Sequence, residues 1–169
     1  MANQNLKIEP YEGEKAFIYA CYSHADKEVI GDLEYLQKKK FRIWFDQGIG
    51  ENNNWKESIT DHIVKCNLFM IFVSAQSIHS DYVLAELQSA RSNNKPMLPV
   101  FLEEIRKSDD LDYISLKMIQ GINRWEYSQQ MEKYYIHLVN SLENFDIRFH
   151  NISPKDDRPK GDKSWQIKL

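Results

Sequence analysis

The hexapeptide LFMIFV, residues 68–73, is apolar at every position, and it decides the fold class of the chain. Two similar runs stand before and after it in the sequence, AFIYACY at residues 16–22 and MLPVFL at residues 97–102. Nearly continuous apolar runs of this length are typical of strands that are buried on both faces of a parallel sheet. Two shorter runs of β-type composition, FRIWF at residues 41–45 and INRW at residues 122–125, complete a set of five predicted strands.

Segments with helical periodicity lie between these runs. Their apolar residues recur every three or four positions, which places them on one face of a helix. The four sets are Val29, Ile30, Leu33 and Leu36; Trp55, Ile59, Ile63 and Cys66; Val83, Leu87 and Ala90; and Tyr134, Leu138 and Leu142. Ser23 with Asp26, and Asn54 with Glu57, have the N-cap to N3 spacing that predicts where the first two helices begin.

This alternation of strands and helices predicts an α/β fold of the flavodoxin-like kind, a five-stranded parallel sheet of order 2-1-3-4-5 with helices on both faces. We expect residues 1–14 to be an N-terminal extension, residues 15–146 to form the domain, and residues 147–169 to be an aperiodic tail. From residue 151 onward the tail holds five Lys or Arg and three Asp, and it is interrupted by Pro and Gly. This composition is consistent with a linker or an added end.

Composition excludes several classes of protein. The 169 residues are 42% hydrophobic and 12% aromatic, which is incompatible with intrinsic disorder. No apolar run approaches the roughly 18 residues of a membrane span, and the N-terminus lacks the pattern of a secretion signal. The net charge of −3 argues against a nucleic-acid partner. With two cysteines, both in apolar surroundings, the sequence indicates a soluble cytoplasmic protein that does not engage a membrane.

A candidate site follows from the predicted topology. Ligands of open parallel sheets bind beyond the carboxyl ends of the strands, where the strand order reverses, which here is between the first and third strands. The residues expected there are Tyr22, Ser23, His24 and Ser74, with Asp46 and Trp55 overhanging from the loop after the second strand. Structural roles compete with binding roles for several of them: Ser23 as a helix cap, His24 as a solvated loop residue, Asp46 as a turn residue and Trp55 as a packing anchor.

Other chemistries leave no trace in the sequence. Neither GxGxxG nor GxxxxGK[ST] follows the first strand, so these phosphate-binding loops are not indicated. The third strand ends in Val73 and Ser74, without the aspartate of a phosphoacceptor receiver domain. The five His and two Cys show no metal-ligand spacing, and we expect neither a metal nor a bound cofactor.

One carboxylate stands near the predicted switch point. In SDYVLAELQSA, residues 80–90, the residues Val83, Leu87 and Ala90 form the buried stripe of a helix, and Tyr82 and Glu86 lie together at its margin. Periodicity alone is compatible with two readings of Glu86, an ordinary surface glutamate or a functional carboxylate beside an aromatic ring.

Residues 15–145 resemble the Toll/interleukin-1 receptor (TIR) domain family, specifically its bacterial members. Four motifs carry the resemblance, in the family's order. CYSHAD at 21–26 resembles the SYSxxD box, FRIWFDQGIGENNNW at 41–55 the second strand with its following loop, SDYVLAEL at 80–87 the Ser-x-Trp-Cys-x-x-Glu-Leu helix, and MLPVF at 97–101 the fourth strand. The departures are Tyr82-Val83 for Trp-Cys, Cys21 for Ser, and asparagines at 52–54 for a loop glycine.

The resemblance implies an activity and a set of site residues. Many TIR domains cleave NAD, releasing nicotinamide and leaving ADP-ribose or a cyclic isomer, and bacterial members often act in antiphage defence. The family's catalytic glutamate falls on Glu86 and its nearby aromatic residue on Tyr82. The positions that line the nicotinamide-ribose pocket fall on Tyr22, Ser23, His24, Asp46 and Trp55. NAD would then be the substrate rather than a cofactor.

The resemblance also implies partners and leaves alternatives open. TIR domains assemble with one another, here through the loop at residues 48–54, and a separate effector or a fused sensor domain would complete a signalling system. A non-enzymatic adaptor that acts by TIR–TIR assembly is therefore the second hypothesis. A nucleoside 2-deoxyribosyltransferase, with a similar fold and glutamate chemistry, is the third.

Overall fold

The computed structural model describes residues 8–48, 54–106, 108 and 110–145. Its five strands are β1 (Ile18–Cys21), β2 (Ile43–Phe45), β3 (Leu68–Val73), β4 (Met97–Phe101) and β5 (Ile122–Asn123). All neighbours are parallel, and the order in the sheet is β2-β1-β3-β4-β5. The flavodoxin-like order predicted from the sequence is thus confirmed.

In the described part of the chain, five α-helices cover the two faces of the sheet. They are α1 (Glu28–Lys38), α2 (Asn54–Lys65), α3 (Asp81–Ser92), α4 (Leu111–Lys117) and α5 (Met131–Leu142). Helices α1 and α5 share one apolar core with the sheet, and α2, α3 and α4 share the other. Across the described ranges, no helix combines the length and the hydropathy that crossing a bilayer requires.

Strand β1 shows how the chain builds both cores at once. Because successive side chains of a strand point to opposite faces, Ile18 and Ala20 join the core under α1 and α5, whereas Tyr19 and Cys21 join the core under α2 and α3. All four residues are buried. Helices pack on both faces of this strand, which accounts for its continuous apolar character.

The predicted cap of the first helix is wrong. Helix α1 begins at Glu28, and the residue before it, Lys27, makes no side-chain cap bond. The chain turns first, with the Asp26 amide donating to the Ser23 carbonyl at 2.9 Å, and the Ser23 hydroxyl accepts from the Ala25 amide at 3.3 Å. Ser23 therefore stabilises the turn before the helix. Helix α2 does begin at Asn54, whose side chain lies outside the described residues.

Two elements after β4 differ from the prediction. Helix α4 has no counterpart in the predicted elements, and its buried residues are only Tyr113 and Leu116. Strand β5 ends at Asn123 rather than at Trp125, because a 3₁₀ turn, Arg124–Tyr127, follows at once. The predicted apolar stripe of the last helix, in contrast, is buried as expected at Tyr134, Leu138 and Leu142.

The segment at residues 8–14 packs against the sheet edge. Ile8 and Tyr11 are buried, and the Tyr11 amide donates to the Ile43 carbonyl of edge strand β2 at 2.8 Å. The carboxylate of Glu12 accepts from the Trp44 indole at 2.8 Å. The described part of the predicted N-terminal extension is thus packed on the domain, while the predicted tail at 147–169 lies outside the described residues.

Both cysteines are buried and free, as the sequence indicated. Burial raises the pKa of the Cys66 thiol to about 11 and that of the Cys21 thiol well above its ordinary value. Both side chains therefore remain protonated near neutral pH.

Candidate functional site

A cleft of about 390 Å³ opens at the carboxyl ends of β1 and β2, beside the start of α3. The residues that follow these strands form one wall, and α2 and α3 form the other. The lining residues are Tyr22, Ser23, His24, Ala25, Asp46, Gly48, Trp55, Ser80, Tyr82, Val83 and Glu86. All seven site residues predicted from the sequence therefore line one cleft, whereas Ser74, also expected at the switch point, does not.

Asp46 shapes the wall formed after β2. One of its carboxylate oxygens, Oδ1, accepts from the Trp55 indole at 3.0 Å and from the Gly48 amide at 3.1 Å. Gly48 has a φ of +69°, and a Cβ at this position would lie 3.0 Å from the His24 ring. The backbone conformation therefore favours glycine, and a larger residue would also crowd the His24 ring. Asp46 serves as a turn residue and lines the cleft, so its two readings are compatible.

His24 and Tyr22 form the wall after β1. The His24 ring nitrogen Nε2 lies 3.2 Å from the Asp46 carbonyl oxygen and 3.8 Å from its Oδ2, and half of the side chain is exposed. The rings of His24 and Tyr22 are 5.3 Å apart. Burial, with the nearby charges of Asp46 and then Glu86, raises the pKa of Tyr22 to about 12. Tyr22 is therefore a neutral hydroxyl that can donate a hydrogen bond in this cleft.

An aromatic pair divides the site. The rings of Trp55 and Tyr82 meet edge to face with centroids 5.5 Å apart. Tyr82, on α3, is 65% exposed. On the far side of this pair, a second cavity of about 360 Å³ lies between α2 and α3, lined mainly by apolar groups such as Ile59, Ile63 and Ala85. Trp55, Tyr82 and Glu86 line both cavities.

Glu86 lies on α3, and its side chain borders both the cleft and the second cavity. The hydroxyl of Ser80 accepts from the Val83 amide and caps the helix, which fixes its first turn above the ends of the strands. Val83 and Leu87 are buried against the sheet, and Glu86, between them in sequence, is partly buried. Its Oε2 accepts a hydrogen bond from the Tyr19 hydroxyl at 3.0 Å.

The surroundings of Glu86 oppose its ionisation. Burial raises the pKa of its carboxyl group to about 7 and the charge of Asp46 adds to the rise, while the nearby Cys21 thiol and the hydrogen bond from Tyr19 oppose it. Near neutral pH the group is therefore present in both protonation states. Strongly perturbed carboxyl groups that border a cleft are typical of functional sites.

Sequence reasoning missed Tyr19, Cys21 and Gly48, and it misplaced Ser74. Tyr19 and Cys21 resemble ordinary members of an apolar strand: alternation along β1 places both on one face, but the sequence does not show which face α3 covers. Ser74 is buried, and its hydroxyl donates to Asp26 at 2.5 Å. That bond ties the end of β3 to the turn before α1, away from the cleft.

A metal site is not indicated in the described ranges, where no group of three or more His, Cys, Asp or Glu side chains is placed to hold an ion. The chemistry available in the cleft is that of one carboxylate with a shifted pKa, two aromatic rings, and the polar groups of Tyr22, Ser23, His24 and Asp46. This set suits the binding of a flat ring joined to a hydroxylated group, with an anion beside the junction.

A family model and a solved structure that match this chain both represent the same kind of domain. The model of the TIR domain family matches residues 18–139. Among solved structures, the TIR domain of the Toll-related receptor TRR-2 from Hydra magnipapillata is similar, with a TM-score of 0.56 and 16% identity over 77% of this chain and 100% of that chain. At this identity the likeness concerns the fold. No match was found among curated proteins.

Proposed function

This chain belongs to the TIR domain family, and from this premise we propose that it is an enzyme that cleaves NAD between nicotinamide and ribose. The observation that carries the proposal is the placement of Glu86. Its carboxyl group lies where the polar cleft meets the second, mainly apolar cavity between α2 and α3, beside the rings of Trp55 and Tyr82. Nicotinamide is flat and ribose is hydroxylated, so the bond that joins them matches this junction.

Cleavage of this bond requires one anionic group from the protein and no general acid. The C1′–N bond of NAD breaks with its electron pair passing to the ring nitrogen, so the cationic pyridinium leaves as neutral nicotinamide and needs no general acid. The ribose carbon becomes oxocarbenium-like, and a carboxylate nearby stabilises that charge, as in glycoside hydrolysis. Water then adds and releases a proton to give ADP-ribose, or a nucleophile of the same molecule adds to give a cyclic isomer.

We assign roles to the site residues accordingly. Glu86 is the catalytic carboxylate, which stabilises the ribosyl cation or grips the ribose hydroxyls. Trp55 and Tyr82 pack against flat rings and exclude water. The remaining lining residues, Tyr22, Ser23, His24 and Asp46, supply polar contacts to the ribose side of the substrate. The resemblance to bacterial members further suggests a role in antiphage defence, with NAD depletion or an ADP-ribose-derived signal as the output.

The test is incubation of concentrated protein with NAD, followed by separation of the products by retention and mass. We expect nicotinamide with either ADP-ribose or a cyclic isomer. Glu86→Ala is expected to lower nicotinamide release by at least about 100-fold, because the developing positive charge loses its counter-ion. Thermal unfolding checks that the variant still folds.

The matched control is Glu132→Ala, which removes an exposed glutamate from the first turn of α5, on the other face of the sheet. It is expected to retain full activity. Nicotinamide release by Glu86→Ala at the wild-type rate would refute the assignment, and a wild type that is inert at every protein concentration would refute the enzyme itself. Substituting a deoxynucleoside and a free base for NAD tests the transferase alternative in the same assay.

A second candidate function is a non-enzymatic assembly module, and one observation favours it. Leu111 and Ile114 of α4 and Met118, the residue that follows the helix, have the spacing i, i+3 and i+7, and Leu111 and Met118 are 80% and 84% exposed. Contiguous exposed apolar side chains mark interaction sites in many proteins. TIR domains generally self-associate, so the expected signature is sedimentation that depends on concentration, together with no release of nicotinamide. The loop at residues 48–54, which the sequence singled out for assembly, lies almost entirely outside the described residues.

A further inference from the structure

The ring of Tyr19 is held between the side chains of two neighbouring strands. Tyr19 is fully buried in β1 and lies in register with Trp44 of β2 and Phe69 of β3. Its ring centroid is 5.0 Å from that of Trp44 and 5.3 Å from that of Phe69, and its plane is inclined by only 15° to the Phe69 ring. Packing on both sides leaves the ring little freedom, so its hydroxyl points in one direction, toward α3.

The hydroxyl of Tyr19 has one hydrogen-bond partner in the described part of the chain, Oε2 of Glu86 at 3.0 Å. A buried hydroxyl without a partner is destabilising, so a phenylalanine would suit this apolar position better unless the hydroxyl had a use. Tyr19 lines neither of the two cavities that meet at Glu86. It therefore touches the carboxylate from the sheet side, where a substrate does not reach.

We propose that Tyr19 is a positioning residue for Glu86: its fixed hydroxyl donates to Oε2, holds the carboxyl group at the junction of the two cavities and favours its ionised form. This inference rests on the proposed function. A hydrogen bond on one oxygen fixes the rotation of the carboxyl group, so the other oxygen keeps a constant orientation. A glutamate without this bond would sample several rotamers and present its charge to the ribose for only part of the time.

The charged and titratable groups around Glu86 agree with this role. Burial raises its pKa and the charge of Asp46 from the loop after β2 adds to the rise, whereas the nearby Cys21 thiol and the hydrogen bond from the Tyr19 hydroxyl, both from β1, lower it. The other titratable or charged groups that line the two cavities are Tyr22, His24, Lys56, Asp81 and Tyr82. Tyr19 itself stays protonated, because burial and then the charge of Glu86 raise its pKa, so it remains a donor across the accessible pH range.

The test that does not depend on activity is an NMR titration of the Glu86 side-chain carboxyl carbon in the wild type and in Tyr19→Phe, with Glu86→Gln used to assign the signal. Tyr19→Phe keeps the packed ring and removes only the donor. We expect the Glu86 midpoint to rise by about one pH unit, since a hydrogen bond to a charged group has about that value. The control is Tyr113→Phe, which removes another buried tyrosine hydroxyl, one that donates to the Ile105 carbonyl at 3.0 Å, and should leave the midpoint unchanged.

A second arm measures nicotinamide release. A midpoint that moves from about 7 to about 8 lowers the ionised fraction at pH 7 by about fivefold, so Tyr19→Phe should lower kcat by at least that factor with little change in KM. The deficit should narrow near pH 9, where both proteins are ionised. Full kcat across this pH range in an active enzyme would overturn the proposal.

The two arms separate this inference from the proposed function. An unchanged Glu86 midpoint in Tyr19→Phe overturns the positioning role whether or not the protein cleaves NAD. An inert wild type would refute the proposed function, and with it the catalytic purpose of the bond. If Tyr19→Phe does not unfold cooperatively, replacing Tyr19 alone with 3-fluorotyrosine provides the second measurement. The more acidic hydroxyl of 3-fluorotyrosine is a stronger donor and should lower the Glu86 midpoint.

Discussion

At the scale of single residues, Glu86 is where the stability of the fold and the proposed chemistry oppose each other. Burial raises its pKa from 4.5 to about 7. Between these two values the folded protein keeps a proton that the unfolded chain has released. Folding stability therefore falls as the pH rises from about 4.5 to about 7, and the cost of the buried carboxylate is fully present above that window.

This balance gives a stability prediction for Glu86→Gln, which keeps the shape of the side chain and an oxygen that accepts from Tyr19. At each pH, the stability difference is the free energy of unfolding of the variant minus that of the wild type. This difference should be about 2 kcal/mol larger at pH 8 than at pH 5, because the amide never ionises. Urea unfolding of both proteins at the two pH values measures the difference. A gain that is equal at pH 5 and pH 8 would show that Glu86 ionises in the folded protein as it does in water.

The residues of the site were predictable to the extent that they follow strands. Tyr22, His24 and Asp46 come directly after predicted strands, and the topology brings such residues to one edge of the sheet. Tyr19 was not predictable in this way, because a tyrosine in an apolar strand is interpreted as a packing residue of the core. Its role depends on which face of β1 meets α3, and the apolar pattern is the same on both faces of a strand that is buried on both sides.

At the scale of secondary-structure elements, Asp32 joins three segments of the chain. It lies on α1 and is fully buried. Its carboxylate accepts from Arg124, in the 3₁₀ turn after β5, at 2.9 and 3.1 Å, and from Tyr134 and Tyr135 of α5 at 2.7 and 3.1 Å. Four donors on one carboxylate hold α1, the end of the sheet and α5 together.

We therefore predict that Asp32→Asn lowers the free energy of unfolding by about 3–5 kcal/mol, because Arg124 loses its counter-ion in a largely buried position. The control is Asp61→Asn on α2, where the carboxylate contacts Lys65 at 2.8 Å but both side chains are about half exposed. That change should cost no more than about 0.5 kcal/mol. Urea unfolding at pH 7 compares the two, and equal losses would contradict the assignment of Asp32 as a connection between elements.

The elements themselves were predictable wherever the buried stripe dominates the sequence. Helix α4 fails this condition, because its exposed Leu111 and Ile114 are as apolar as its buried Leu116, so periodicity does not identify the inner face. The start of α1 fails for a different reason. Ser23 and Asp26 have the spacing of a cap, but the chain uses both in a turn that brings Asp26 to Ser74, the residue that follows β3. A long-range contact has overridden a local signal.

At the scale of the whole molecule, the limits of the domain are set by packing rather than by composition. The segment at residues 8–14 reads IEPYEGE, mostly polar, and the sequence alone places it outside the domain. In the structure the segment contacts edge strand β2, where the Tyr11 amide pairs with the Ile43 carbonyl, a backbone group that an edge otherwise leaves open. The carboxylate of Glu12 also lies 3.0 Å from the His62 imidazole of α2, so the segment joins the sheet edge to the helix that carries Trp55.

This packing predicts that a residue outside the expected domain matters more for stability than an apolar residue inside it. Ile8 is 3% exposed and Leu111 is 80% exposed, although both are large aliphatic side chains. Ile8→Ala should lower the free energy of unfolding by about 2–5 kcal/mol, because it leaves a cavity under α1 and the sheet, whereas Leu111→Ala should change it by about 0.5 kcal/mol or less. Urea denaturation followed by tryptophan fluorescence measures both, and Trp44, which Glu12 contacts, reports on the segment directly. Equal midpoints for Ile8→Ala and the wild type would mean that residues 8–14 detach without cost, and that the domain begins near residue 15 as its composition suggests.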